Sequence, residues 1–170
     1  HCKEIVKKQI LFLKTHEPDI LVEKFIDEYL ILDKSIKLEI SWKNMHFLWK
    51  KFVESIQIPN VIYINSLKLK LLHLINKKLD IETKDDSFRF ITSIHLPNID
   101  EFITFWNENM EHEVKENIVG EFEVSEVILL YNDYRISKGL GISDIEEDFV
   151  TQIIYHFMDN IEVEKDKFIL

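Results

Sequence analysis

The sequence predicts a mainly helical α+β fold, with an N-terminal helical pair followed by two winged-helix-like units that carry short β-hairpins. Three observations predict it. Apolar residues recur at helical spacing along most of the chain. The spacing changes to two after each of two helical pairs. The order helix, turn, helix, hairpin occurs twice, and fixed-order self-similarity points to one supersecondary unit used twice. A single irregular helical domain is the alternative. With 170 residues, 46% of them hydrophobic, the chain can build one domain or two small ones and is not disordered. The expected divisions are residues 1–36 (helical pair), 37–96 (basic winged-helix-like unit), 97–123 (acidic connecting helix or loop) and 124–170 (acidic winged-helix-like unit).

From the N-terminus, Ile5, Val6, Ile10 and Leu13 give a first helical stripe. Pro18 suits the first turn of a second helix, whose stripe is Ile20, Leu21, Phe25, Ile26 and Tyr29. Asp33-Lys34-Ser35 is a polar break. Ser41 can cap a third helix, because its hydroxyl accepts from a free backbone N–H. Trp42, Met45, Trp49, Phe52, Val53 and Ile56 then share one face. Ile58-Pro59 ends it, since the residue before proline is driven out of the α region. Asn65 or Ser66 caps the next helix, with Leu67, Leu71, Leu74 and Ile75 buried. Leu79–Thr83 and Phe88–Thr92 alternate with period two and are expected to pair across Lys84–Ser87.

Pro97 opens a helix carrying Ile99, Phe102, Ile103 and Trp106. The acidic stretch from Asn107 to Glu123 is its tail or a loop. Ser125 is expected to cap a helix with Val127, Leu130, Tyr131 and Tyr134 inside. Lys138-Gly139-Leu140-Gly141 breaks it, and Ser143 or Asp144 caps the last helix, which buries Phe149, Ile153, Ile154 and Phe157. Asn160–Glu164 and Lys167–Ile169 read as a closing hairpin. Leu48–Phe52 matches Leu130–Tyr134, and the break at Ile58-Pro59 matches that at Leu140-Gly141.

The net charge of −10 is divided unevenly. Residues 1–80 hold 14 Lys against 10 acids, and residues 81–170 hold 7 basic against 21 acidic residues. Net repulsion opposes polyanion binding by the whole chain, but not by its first half. Lys70, His73 and Lys77 stand beside the buried stripe of the second helix of the basic unit, the element that enters the major groove in a helix-turn-helix. Lys43, Lys50 and Lys51, with Phe47 as an exposed aromatic, would add phosphate and stacking contacts from the first helix. With only two Arg, bidentate guanine readout is not expected, and the contact would be to DNA or RNA backbone. The acidic belt Glu108, Glu111, Glu113 and Glu116 is the expected protein-partner surface.

No catalytic residue, cofactor or metal site is expected. The seven His are scattered, and only Glu111-His112-Glu113 is local; neighbours on a helix do not converge on one ion. Asp80, Glu82 and Lys84 have a nuclease-like acid-to-Lys spacing, but no second acidic strand completes a metal site. No phosphate-cradling Gly-rich loop and no nucleophile elbow occur. One Cys fits a reducing compartment, and no apolar run is long enough to span a membrane, so an intracellular place is expected. The 26 Ile, 19 Lys and absent Ala suggest an AT-rich genome, and the start at His1 suggests a segment of a longer protein.

The block Ser41-Trp42-Lys43-Asn44-Met45-His46-Phe47-Leu48-Trp49-Lys50, then Leu96-Pro97, Phe105-Trp106 and Glu121-Phe122-Glu123-Val124, resembles the region beyond the ATPase core of helicase-primases of large nucleocytoplasmic DNA viruses. The similarity covers about residues 40–170 and rests on pattern. It implies an accessory role in viral (giant-virus) replication, in the cytoplasm or a viral replication compartment. None of that family's primase or ATPase motifs occurs here, so no catalytic residue carries over.

Overall fold

A computed structural model describes residues 18–60, 62–81, 87–110, 122–159, 161 and 168–169. The expected helix over residues 3–13 lies outside them. The described residues are mainly helical, with short antiparallel strand pairs, as the α+β expectation has it. The chain divides into two compact units, one up to Leu96 and one from Pro97 onward.

The first unit contains α1 (Pro18–Tyr29), β1 (Ile31–Leu32), β2 (Glu39–Ile40), α2 (Trp42–Ser55), α3 (Ile64–Leu79), β3 (Phe88–Arg89) and β4 (Ile91–Thr92). α1 packs on both α2 and α3, and β1 pairs with β4, so residues 18–36 share one body with residues 37–96. Leu21, Val22, Phe25 and Ile26 of α1 are buried, as are Met45, Trp49, Phe52 and Val53 of α2 and Leu67, Leu71, Leu74 and Ile75 of α3. The Ser41 cap forms, with the Asn44 N–H donating to Ser41 Oγ at 3.1 Å. The Asp33 break is an Asx turn, in which the Ser35 N–H donates to Asp33 Oδ1 at 2.8 Å.

The expected ribbon between Leu79–Thr83 and Phe88–Thr92 is replaced by other pairings. Leu79 closes α3 as one more buried residue of its stripe, and Asp80 takes a left-handed conformation (φ 47°) that stops the helix. Its period-two look came from overlap, because Leu79 also stands four residues after Ile75 and continues the helical period. Residues 82–86 lie outside the described set. Phe88–Thr92 pairs with the strands that precede α2: Glu39↔Arg89 and Ile40↔Phe88 on one side of a bend, Ile31↔Thr92 and Leu32↔Ile91 on the other. The bend is Phe90 at φ 63°, where the Phe90 and Ile91 N–H groups both reach Leu38 O, at 2.8 and 3.4 Å. Two residues facing one make this a bulge that re-aims the strand.

The second unit contains α4 (Leu96–Asn109), β5 (Phe122–Glu123), α5 (Val124–Ser137), α6 (Glu147–Phe157) and β6 (Phe168–Ile169). β6 pairs with β5 (Phe122↔Ile169, Glu123↔Phe168), and the first strand of the expected closing hairpin lies, but for Ile161, outside the described residues. The N-caps are Tyr63 for α3, Glu123 for α5 and Glu146 for α6, in place of the expected Asn65/Ser66, Ser125 and Ser143/Asp144. At α5 the Glu123 N–H donates to the Glu126 carboxylate at 3.0 Å, the N3 half of a capping box.

The second unit runs helix, strand, helix, helix, strand; the first runs the same way with two short strands at each strand position, and in both the strand directly before the helical pair joins the first strand after it. α2 and α5 are each 14 residues long and start at Trp42 and Val124. Their cores repeat as well. Phe25 of α1 meets Trp49 and Phe52 at 5.4 and 5.5 Å between ring centroids. Phe105 of α4 meets Tyr131 and Tyr134 at 5.3 and 5.4 Å.

Candidate functional site

The cationic face is the first candidate. α3 is held against α1 by its buried leucines, and this fixes where its lysines go. Lys70 ion-pairs with Asp19, and Lys78 with Asp27 at 2.6 Å, both acids lying on α1. Lys70 thus leaves the expected trio and is neutralised across the helix pair. His73 and Lys77 stay exposed, one turn apart, beside Leu69, which is 66% exposed. On α2, Lys43 and Lys50 are exposed, while Lys51 is half-buried with Glu54 at 3.5 Å. Phe47 is the clear correction: it is buried at 2% exposure and offers no stacking platform. Its neighbours Leu48 and Trp49 are buried too, so α2 is enclosed on more than the one face that periodicity assigned. Trp49 also donates from Nε1 to Asn60 Oδ1 at 3.3 Å, which ties α2 to the turn that follows it.

The acidic belt is represented by Glu108 alone, since Glu111, Glu113 and Glu116 lie outside the described residues. Glu108 is exposed at the end of α4 and meets Lys138 at 3.6 Å. Glu147 and Asp148 occupy the first turn of α6, where carboxylates face the positive end of the helix dipole.

Two features of the second unit escaped the sequence reading. One is a polar cluster inside an aromatic shell. The Tyr131 hydroxyl donates to Glu101 Oε1 at 2.8 Å, and Arg135 Nη1 reaches the same oxygen. Arg135 also donates from Nε to Gly141 O at 2.9 Å and from Nη2 to Leu140 O at 3.2 Å. Phe102 and Phe105 flank the Tyr131 ring at 5.2 and 5.3 Å. Burial pushes the Tyr131 phenol up to about 12; the Arg135 bond opposes that rise and the Glu101 carboxylate adds to it. Arg135 thereby clamps α4, α5 and the loop after α5 together.

The other is the outer side of α5. Val124, Val127 and Tyr131 are fully buried, yet Leu129, Leu130 and Ile136 are 66%, 45% and 55% exposed. Leu140 and Ile142 in the following loop are exposed as well. The signal was present as Leu129 and Ile136, two apolar residues that the stripe Val127–Leu130–Tyr131–Tyr134 does not include. Beside this face an open cleft of ≈ 520 Å³ is lined by Ser125, Ile128, Ile145, Glu146, Glu147 and Asp148.

Among the described residues no three His, Cys, Asp or Glu side chains gather into a metal site, and no helix is long and apolar enough to cross a membrane. No family model, no curated protein and no solved structure matches the chain.

Proposed function

We propose that the chain is a non-catalytic accessory module of two winged-helix-type units, acting chiefly by docking protein through the second unit. The winged-helix reading draws support from the repeated helix–strand–helix–helix–strand order and from the pairing of the flanking strands. The docking reading rests on one observation. α5 carries apolar residues on two sides, and among the described residues only Val124, Val127 and Tyr131 on one of them are fully buried, while Leu129 and Ile136 on the other are exposed. A surface helix normally keeps a single apolar stripe, turned toward its own core, and polar residues elsewhere. The resemblance to the accessory region of viral helicase-primases supplies the proposed context, a larger replication protein that carries its catalysis elsewhere.

Weak nucleic-acid backbone contact by the first unit is the second reading. It is favoured by His73 and Lys77, exposed on the second helix of the α2–α3 pair, with Lys43 and Lys50 on α2. It is weakened by the loss of Lys70 and Lys78 to Asp19 and Asp27. A titration of labelled DNA and RNA separates the two. Docking predicts no saturable binding at about 0.15 M salt and only weak, salt-steep binding well below it. Tight binding at the higher salt, lost with Lys77→Glu, would make the nucleic-acid face the principal one.

A further inference from the structure

The similar order of elements in the two units locates a surface that the second unit leaves open. Aligned from Trp42 and Val124 without a gap, α2 and α5 place Met45 on Val127 and Trp49 on Tyr131, and all four are buried. The same alignment sets Phe47 and Leu48 on Leu129 and Leu130. In the first unit this pair is 2% and 0% exposed; in the second it is 66% and 45% exposed. Among the described residues, this side of the helix is enclosed in one unit and exposed in the other, with the side chains still apolar.

From this contrast we infer that the outer side of α5 receives a basic amphipathic helix of a partner protein, a conclusion that rests on the docking reading above. Leu129 and Ile136 stand seven residues apart, two turns along one helical face. Ile142 extends the apolar surface from the loop, which is tied to α5 by the Ser143 N–H donating to Asn132 Oδ1 at 2.9 Å. Charge selects the partner. Asp133 is exposed between the two anchors, and Glu146, Glu147 and Asp148 line the adjoining cleft. From Pro97 onward the chain holds 18 acidic and 5 basic residues. A second copy seated through the same face would bring these acids together, so a symmetric pair is disfavoured. A helix with leucines on one side and lysines on its flanks meets both requirements.

The test uses the whole chain and a synthetic peptide of about 18 residues, with Leu at helical spacing and Lys elsewhere. Its comparators are a scrambled peptide of equal composition and a twin with Glu for Lys. At about 0.15 M salt, where loose charge attraction is screened, the Lys-faced peptide is expected to bind roughly tenfold more tightly than either comparator. Leu129→Gln with Ile136→Gln should remove that advantage, and because both residues are exposed the variant should keep its circular dichroism. Lys77→Glu should leave it unchanged. Amide shifts on peptide binding should centre on α5 and the loop after it. Equal binding of the scrambled peptide, or an advantage that survives the double variant, overturns the inference. So does a concentration-dependent dimer in light scattering that the double variant abolishes, since the occupant is then a second copy. A photo-crosslinker at position 129 separates this failure from that of docking itself. Protein adducts in cells without peptide selectivity discard the basic helix and retain docking; no adducts and no selectivity discard both.

Discussion

Tyr131 carries the most consequential single hydroxyl in the second unit. It is 1% exposed, and its phenol lies on Glu101 with Arg135 on the same oxygen. In a chain with 19 Lys and two Arg, this position uses the fork that can reach a carboxylate and two carbonyls at once. Arg135→Lys is therefore expected to cost about 1–2 kcal/mol and Arg135→Met more, because the latter leaves Glu101 without its cation. Tyr131→Phe should cost about 1 kcal/mol at neutral pH. The alkaline side gives a sharper test. Burial lifts the folded pKa to about 12, above the unfolded value near 10. Stability from this group is whole below pH 10 and is lost as pH rises through 12, by something on the order of 2 kcal/mol. Urea titrations at neutral and alkaline pH should show that loss in the natural chain and its reduction in Tyr131→Phe. His95 has the opposite sign of dependence. Partial burial, and then the Lys51 ammonium, lower its pKa. Its contribution is present above the ordinary imidazole value and is lost as pH falls through the lowered one. Its ring, 4.8 Å from that of Tyr29, should titrate upward in Lys51→Gln when followed by NMR.

The helices were legible and the strand partners were not. The apolar stripes of α2 and α3, the Ser41 cap and the Pro18 and Pro97 starts follow from local spacing and backbone chemistry, which a sequence displays directly. The partner of Phe88–Thr92 could not be read that way. Two two-residue strands, set apart by the bend at Phe90 and paired with residues about fifty to sixty positions earlier, leave no local trace. The cation face failed for a related reason. Lys70 sits at the right position on its own helix, but Asp19 and Asp27 meet α3 only once α1 has packed on it. Phe47 failed because periodicity gives one buried face, while α2 is enclosed on a second. Removing the two masking acids should expose the face that the sequence suggests. Asp19→Asn with Asp27→Asn is expected to tighten low-salt binding to DNA roughly tenfold and to steepen the salt slope by up to about 2. Fluorescence anisotropy reads both quantities, and an isotherm equal to that of the natural chain would show that the two acids do not mask these lysines.

A similar order of elements in the two units organises the molecule. Sequence comparison could align Trp49 and Phe52 with Tyr131 and Tyr134, because the breaks at Ile58-Pro59 and Leu140-Gly141 keep the same distance from them. It could not see that Phe25 and Phe105 complete both clusters, since α1 and α4 are connected to their units by segments of unequal length and content. Each unit closes its core with one phenylalanine on two aromatic rings, but the two cores were tuned apart. The first keeps Trp49 and Phe52, with the smaller Val53 buried at the position that Arg135 fills in the second. The second admits Tyr131 and Arg135 and must satisfy them with Glu101 and loop carbonyls. Equivalent truncations should therefore act locally and unequally. Phe25→Ala and Phe105→Ala each remove a fully buried ring and should each cost about 3–5 kcal/mol. Amide exchange should lose protection in α1–α3 for the first and in α4–α6 for the second, because each ring closes the core of a separate compact unit. The Phe105 variant should also lower the alkaline resistance of Tyr131, since the ring that shields the phenol from water is gone, whereas Phe25→Ala should leave that titration where it was. A global loss of protection from either variant would mean that the two units unfold as one.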